Sequence, residues 1–501
     1  MVQATSPISC DINGFRQRLA TRWPDVDRQI LDGLTSSTPF CLDSRRLVPG
    51  GVFIAVKGAQ ADGRDYIDHV LHAGAAVVLA QAPCTVKDAR VLELPGLDDA
   101  LGTLIAALYP QAAQGRHIAV TGTNGKSSVT HYLAALLEQM GTPTAVIGTL
   151  GMGVPGQLIS TGLTTPDPLT IAQTIAQWHA EGIDTVALEA SSHALDQARL
   201  ASIPLHVGVF TNLTRDHLDY HGTMLAYAAA KARLFQRPEL RLAVVNAHDG
   251  YTRLMTAGVA STAKTLTIDA QGGAADFTVT QWSPHQSGQQ ASLLTPEGPC
   301  TLHLNLLGRF NLDNVLLAIA TLYGEGYALT ALLSAAQGLT AVPGRMQLIQ
   351  RENAPVVVVD YAHTPDALEN ALEALHRHVP GKLWCIVGCG GDRDAGKRPL
   401  MAAVAEKQAD HVVITDDNPR TEAADQIRGQ MMQGVDRPQH AWNIEGRGEA
   451  INAVLTQAHA DDVVLIAGKG HEDYQEIMGV RYPFNDVRVA TDALDALGAS
   501  C

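Results

Sequence analysis

Short uninterrupted apolar runs recur along the chain, each breaking off in glycine or polar residues, with stretches of helical period between them. That alternation predicts parallel strands buried on both faces and joined by crossover helices, an α/β architecture. In residues 1–112 the runs fall at 51–56 and 75–80, and from 113 onward at 117–121, 144–149, 184–189 and 207–212. After 343 they fall at 356–360, 383–388, 411–415 and 462–467. Polar, Gly-containing breaks at 111–115 and 342–346 suggest three domains, 1–112, 113–342 and 343–501. The central one reads as a P-loop-type doubly wound sheet, flanked by a small N-terminal α/β unit and a C-terminal Rossmann-like α/β unit. Residues 260–300 carry Gly, Gln and Ser without firm periodicity and read as a variable β-rich excursion; there is no internal repeat or low-complexity tract.

The run at 117–121 leads into Gly122-Thr123-Asn124-Gly125-Lys126-Ser127 and then into an apolar-periodic helix. Strand, Gly-rich turn and helix in that order form a phosphate cradle: glycines let the backbone approach an anion, and the first helical N–H groups point at it. Lys126 can reach the terminal phosphates and Ser127 can ligate Mg²⁺. The usual spacing places a further glycine where Val120 stands, so the loop is a shortened variant.

Other polar positions are open to two readings. Glu189 ends an apolar strand, the place from which Mg²⁺-nucleotide sites draw an acidic ligand. Asp216, His217, Asp219 and His221 form either a polar turn or a metal ligand with its orienting groups. Lys231 sits in a helical stretch of small and apolar residues, from which a lysine ordinarily snorkels to solvent. Segments 42–45 and 57–64 read as solvated turns, and 307–314 opens a Leu- and Ala-rich helix fit to wall an adenine. Loops at 388–394, 416–420 and 467–472 each follow a strand, where open α/β sheets bind ligands. Hydride transfer is disfavoured, because no Gly-x-Gly-x-x-Gly marks the first βα turn; phosphoryl transfer to an acceptor is the physical starting point.

Composition narrows the partners. With 501 residues, 46% hydrophobic content and a net charge of −15 with dispersed basic residues, the chain has core enough for several domains and no nucleic-acid footprint. The seven cysteines are scattered without zinc-type pairs, and Cys385 and Cys389 read as buried thiols of a reducing, cytoplasmic protein. The N-terminal stretch has no basic start or apolar core of a signal peptide, and no apolar run is long enough for a membrane span.

Residues 121–127, Glu189-Ala190-Ser191-Ser192-His193, 216–221, Gly344-Arg345-Met346 and 360–365 together resemble the Mur ligases of peptidoglycan synthesis. Residues 391–394, 417–420 and 468–472 are similar to the branch of that family that adds meso-diaminopimelate. The match covers nearly the whole chain and is weak around 84–112, 260–300 and 425–460. The resemblance implies an N-terminal domain that binds the uridine nucleotide of UDP-N-acetylmuramoyl-L-alanyl-D-glutamate through Leu42, Ser44, Ala59, Gln60 and Ala61, against the solvated-turn reading. It implies ATP on Gly122, Thr123, Asn124, Gly125, Lys126 and Ser127, with Asn314, Arg345 and Asp360 flanking adenine, phosphates and ribose. The muramoyl dipeptide would lie along Thr164, Thr165, Ser191, Gln197 and Arg199, and diaminopimelate on Arg393, Asp417, Asn418, Pro419, Arg420, Gly468 and Glu472. Lys231 matches the family lysine that takes up CO₂ as a carbamate and becomes an anionic Mg²⁺ ligand beside Ser127, Glu189 and His217; Lys126, Glu189, His217 and Lys231 are the implied catalytic set.

The implied reaction is ATP-dependent amide formation through an acyl phosphate, by a cytoplasmic monomer acting on small molecules alone. Arg420 can pair bidentately with the second carboxylate of diaminopimelate, a group that lysine lacks. Two departures stand out: Ser127-Ser128 where the family usually shows Thr-Thr, and Ala59 beside Gln60 where a close relative has His. The rival readings are a lysine-adding or folylpolyglutamate-forming ligase of the same superfamily and, from another class, a nucleotide-binding module without turnover.

Overall fold

The computed structural model describes residues 9–58, 61–285 and 287–498. They fall into two compact units, one within 9–126, 137–244 and 249–265, the other within 127–136, 245–248 and 266–498.

The first unit begins with a four-stranded parallel sheet, Phe40–Cys41, Val52–Ala55, Val77–Gln81 and Val91–Leu94 in sequential order. Phe53, Ala55, Val78 and Ala80 pack on Ile67, Val70 and Leu71 from the helix Ile67–His72, which is why these strands read as unbroken apolar runs. Farther along, the strand Arg116–Thr121 pairs in parallel with Thr185–Glu189 on one side and Val207–Phe210 on the other. Thr144–Gly148 lies outside Thr185–Glu189, and Gly151–Gly153 adds an antiparallel edge. The chain therefore builds outward from Arg116–Thr121, returns, and crosses to its other flank. Strand order reverses there, and the loop after Thr121 opens at the switch point where doubly wound sheets bind ligands. The expected strands are all present, most of them shorter by a residue or two, since their polar ends already belong to the loops.

In the second unit the expected β-rich excursion is a regular antiparallel meander of Phe277–His285, Gly288–Thr295 and Gly298–Leu304, with a register shift between Val279 and Gln281. A six-stranded sheet follows in the order Gln347–Ile349, Val356–Asp360, Val463–Ala467, Leu383–Val387, His411–Ile414, Ala441–Asn443. Its first pair is antiparallel and the rest parallel. Val358, Leu465 and Val387 face one core layer, while Val357, Ile466 and Ile386 face another, so both sides of the sheet are covered. The hairpin Tyr474–Ile477 and Val480–Pro483 completes the unit with the helix Asp486–Gly498. Arg447 and Asp486 form a fully buried bidentate pair, at 2.7 and 2.8 Å, and Arg447 also donates to the Ala467 carbonyl at 2.9 Å. Among the described residues no helix is long and apolar enough to cross a membrane.

Candidate active site

The Gly-rich loop is held by its neighbours on the next strand's exit. Thr211 Oγ1 donates to the Asn124 carbonyl at 2.6 Å, Asn124 N donates to Asn212 Oδ1 at 3.0 Å, and Thr123 N to the Asn212 carbonyl at 2.8 Å. Gly122 is at φ +150°, and a Cβ there would collide with Thr211 Oγ1, so glycine is required at that turn. The helix Lys126–Gln139 starts directly after the loop, which leaves its first N–H groups directed at any anion bound there. Lys126 Nζ curls back to donate to the Gly122 and Thr123 carbonyls at 2.9 and 2.8 Å.

Lys231 does not snorkel. It is 1% exposed, and its Nζ donates to the same Gly122 carbonyl at 2.7 Å. Burial, with the Lys126 charge adding to it, holds its amine well below the usual lysine range. The neutral amine is the form that combines with CO₂. The small residues Ala228, Ala230 and Ala232 are what let the helix Met224–Ala232 sit close enough to bury it. Tyr227, one turn earlier on the same face, lies under Nζ at 4.6 Å from ring centroid to nitrogen, and its hydroxyl meets Thr123 Oγ1 at 3.1 Å. Around it the rings of His193, His217, Tyr220 and His221 pack in tilted and edge-on contacts. His217 itself adopts φ +51°.

Glu189 ends its strand 1% exposed; its carboxylate accepts from Thr149 N at 2.8 Å and Thr149 Oγ1 at 3.2 Å. A Cβ on Gly148 would collide with Glu189 Oε1. The Glu189 carboxylate is a hard oxygen donor of the kind Mg²⁺ prefers, and the imidazole of His217 is a softer one. Among the described residues, no group of three or more His, Cys, Asp and Glu side chains is gathered to hold a metal by itself.

The residues expected along the dipeptide form one network. Thr164 Oγ1 meets Thr149 Oγ1 at 3.1 Å, and Thr165 Oγ1 donates to the Glu189 carbonyl at 2.7 Å and to Ser191 Oγ at 3.2 Å. Arg199 donates to the Thr165 carbonyl at 2.8 Å and to Gln197 Oε1 at 2.6 Å, and burial lowers its affinity for the proton. Leu42 and Ser44 stand on a different element, at the start of the turn Ser44–Arg46 that Asp43 caps through Arg45 N. The Ala61 carbonyl accepts from Gly58 N at 2.9 Å, while Ala59 and Gln60 lie outside the described residues.

In the second unit, Asp360 accepts from Met346 N at 2.7 Å; burial raises its carboxyl against the opposing pull of Arg345. The Arg345 guanidinium lies over the Tyr361 ring at 4.8 Å, and Asn314 is buried in the helix Arg309–Gly324. The loops at 388–394, 416–420 and 467–472 are knitted together. Asn418 Nδ2 donates to Glu472 Oε2 at 2.8 Å, and the fully buried Lys469 donates to both residues at 3.1 Å. Asp417 Oδ1 accepts from Asn418 N at 2.6 Å, and a Cβ on Gly468 would meet the other carboxylate oxygen at 2.7 Å. Arg420, at φ +51°, donates through Nη1 to the Gly391 carbonyl at 2.8 Å, and the Pro419 carbonyl leaves no room for a Cβ on Gly391. Arg393 stays exposed, with one long bond of 3.4 Å to its neighbour's carbonyl.

Sequence reasoning missed the hairpin that carries Gln475 and Glu476. Arg420 N donates to the Glu476 carbonyl at 2.9 Å, Met478 N to the Arg420 carbonyl at 2.6 Å, and Gln475 Nε2 to the Asp417 carbonyl at 2.6 Å. It also missed Lys469, Thr149 and Tyr227. The spacing of Tyr227 four residues before Lys231 was the available signal for one of them. Cys385 and Cys389 are buried thiols, as the pattern predicts.

Three family models match the chain: "Mur ligase family, catalytic domain" at 40–109, "Mur ligase middle domain" at 120–322 and "Mur ligase, glutamate ligase domain" at 344–470. A protein of Pseudomonas aeruginosa named UDP-N-acetylmuramoyl-L-alanyl-D-glutamate--2,6-diaminopimelate ligase is 47% identical over 479 residues, 95% of this chain and 97% of its own. One of the same name from Ectopseudomonas mendocina is 46% identical over 464 residues, 92% of this chain and 95% of its own. A solved structure with that name superposes with a TM-score of 0.72 at 40% identity, covering 94% of this chain and 99% of that one.

Proposed function

This chain belongs to the Mur ligase family, with its three-domain α/β fold and mixed central sheet, and on that footing we propose that it adds meso-diaminopimelate to the D-Glu side-chain carboxylate of UDP-N-acetylmuramoyl-L-alanyl-D-glutamate, with ATP cleaved to ADP and phosphate. The observation that carries the reading is the loop Asp417-Asn418-Pro419-Arg420, whose arginine is fixed by the Gly391 carbonyl and by backbone bonds to the hairpin. A guanidinium held that way suits a second carboxylate, and the relatives of 46–47% identity carry diaminopimelate in their names.

A carboxylate is a poor electrophile with a bad leaving group, so activation comes first. In the proposed sequence an oxygen of the D-Glu side-chain carboxylate attacks the γ-phosphorus, the bond to the bridging oxygen breaks, and ADP departs. The amine of diaminopimelate then attacks the acyl-phosphate carbonyl, phosphate leaves with the former carboxylate oxygen, and the nitrogen loses its proton. The loop 122–127 with the helix N-terminus and Lys126 neutralises the phosphates, which requires Lys126 to exchange its present carbonyl partners for phosphate oxygens. Thr164, Thr165, Ser191, Gln197 and Arg199 hold the dipeptide; Leu42, Ser44 and 59–61 hold the uridine side; Asn314, Arg345 and Asp360 serve ATP. Asn418, Gly468, Glu472, Arg393 and Arg420 orient the amino acid. Mg²⁺, carried by Ser127, Glu189, His217 and the carbamate of Lys231, would supply charge neutralisation at the transferring phosphoryl group. The proposal places the enzyme in the cytoplasm as a monomer and divides it at 112 and 342.

The test is phosphate release with ATP, Mg²⁺, bicarbonate and the UDP-linked dipeptide, offering meso-diaminopimelate or L-lysine. Turnover with diaminopimelate alone is expected. Turnover with lysine would remove the specificity argument, and none with either would leave a nucleotide-binding module.

A further inference from the structure

The catalytic loops lie at the C-terminal ends of the strands in the six-stranded sheet, yet a cleft of about 540 Å³ opens at the opposite ends. It is framed by the starts of Leu383–Val387, His411–Ile414, Ala441–Asn443 and Val463–Ala467, and none of its lining residues belongs to the candidate active site. Its volume falls within the range of sites that take small molecules.

The floor is aromatic and fixed. Trp384 stacks on His411 with centroids 4.0 Å apart at 26°, and Trp442 stands edge-on to Trp384 at 5.4 Å and 70°. The Trp384 indole N–H donates to Asp462 Oδ2 at 3.1 Å, which locks the ring. Asp462 is the sole acid among the lining residues, and it also accepts from Lys382 N at 2.8 Å and His459 N at 2.9 Å. Its carboxylate is thus buried and held by three N–H groups of the protein. Lys382 is itself paired with Asp410 at 3.2 Å, and the other Asp410 oxygen accepts from Leu383 N at 2.9 Å. What remains for a ligand is the imidazoles of His440 and His459 and the side-chain amides of Gln439 and Gln457, all exposed on the rim, over a ring-lined floor.

We propose that this cleft is a second ligand site, for a flat aromatic acid of one or two rings carrying a single carboxylate. The half-buried rings of His411 and Trp442 supply stacking surface, and the imidazoles on the rim supply N–H donors for a charge-assisted hydrogen bond to a carboxylate. A phosphate dianion would call for an uncompensated lysine or arginine, and the charge of the lysine at the rim is offset by Asp410. A cation would find no available carboxylate. The site is independent of the assignment of the catalytic reaction, because it uses none of the same residues.

The test is calorimetric titration of the full-length protein with indole-3-carboxylate, its uncharged isostere indole-3-carboxamide, and the cation tryptamine. The carboxylate is expected to bind about tenfold more tightly than the carboxamide, with tryptamine weakest. Trp442→Leu should weaken the carboxylate by about tenfold or more, and saturating ADP should leave its affinity unchanged. His440→Ala, on an exposed turn, should bring the carboxylate close to the carboxamide, and it serves where Trp442→Leu fails to fold. Equal affinity for the three ligands, an undiminished affinity in the variants, displacement by ADP, or no heat up to millimolar concentration would each overturn the proposal.

Discussion

Arg420→Ala is the perturbation that bears most directly on substrate choice. The Arg420 side chain is partly buried, one of its N–H groups is occupied by the Gly391 carbonyl at 2.8 Å, and its backbone is bonded on both sides to the hairpin. The guanidinium is therefore oriented before substrate arrives, with donors left over for a bidentate pair. Truncating one side of a desolvated charge pair costs about 2–5 kcal/mol. Partial exposure screens this pair and places the loss at the lower end, about 2–3 kcal/mol, or about 30- to 150-fold in KM for meso-diaminopimelate. Steady-state phosphate release over a range of diaminopimelate concentrations measures it, with KM for ATP and the UDP-linked dipeptide as internal controls and thermal melting to confirm the fold. A KM for diaminopimelate within about threefold of the parent, in a folded variant, would refute the pairing. So would an equal rise in KM for all three substrates.

Three further outcomes follow from particular contacts. Gly148→Ala places a methyl group against Glu189 Oε1 and should lower kcat by about 100-fold and the melting temperature by a few degrees; unaltered kcat would remove Glu189 from the chemistry. Gln475→Ala removes the hydrogen bond that the side-chain amide donates to the Asp417 carbonyl and should raise KM for the amino acid by about fivefold with kcat nearly constant, since a neutral hydrogen bond contributes about 1 kcal/mol. Burial pushes His117 down from 6.5 to about 4. The unfolded chain therefore binds this proton first as pH falls below 6.5, so stability drops between pH 6.5 and about 4. The loss is about 2 kcal/mol on going from pH 7 to pH 5. His117→Gln should flatten that part of the urea-denaturation profile, and an unchanged slope would show that His117 is not the group responsible.

The strand framework was legible because buried parallel strands write themselves as apolar runs ending in polar loops, as at 116–121, 185–189 and 356–360. The Gly-rich turn between strand and helix was legible because its glycines, lysine and helix start are adjacent in sequence. Lys231 was ambiguous for a physical reason: alanines around a lysine serve equally well on a solvated face or in a tight pack, and only the closeness of Gly122 decides between them. The hairpin at 474–483 left little trace, because most of its side chains are exposed on both faces and no alternation marks it. Its role comes from backbone groups that meet Arg420 across 56 to 58 positions of chain. Arg447 and Asp486 are 39 residues apart, and their pairing is a tertiary fact that local pattern does not encode.

The most direct measurement of the central claim follows oxygen. With UDP-N-acetylmuramoyl-L-alanyl-D-glutamate bearing ¹⁸O in both oxygens of the D-Glu side-chain carboxylate, ATP and meso-diaminopimelate, the account predicts one ¹⁸O in the released phosphate. The other should remain in a product heavier by one diaminopimelate less water. Unlabelled phosphate, or a product without that added mass, would contradict amide formation through an acyl phosphate.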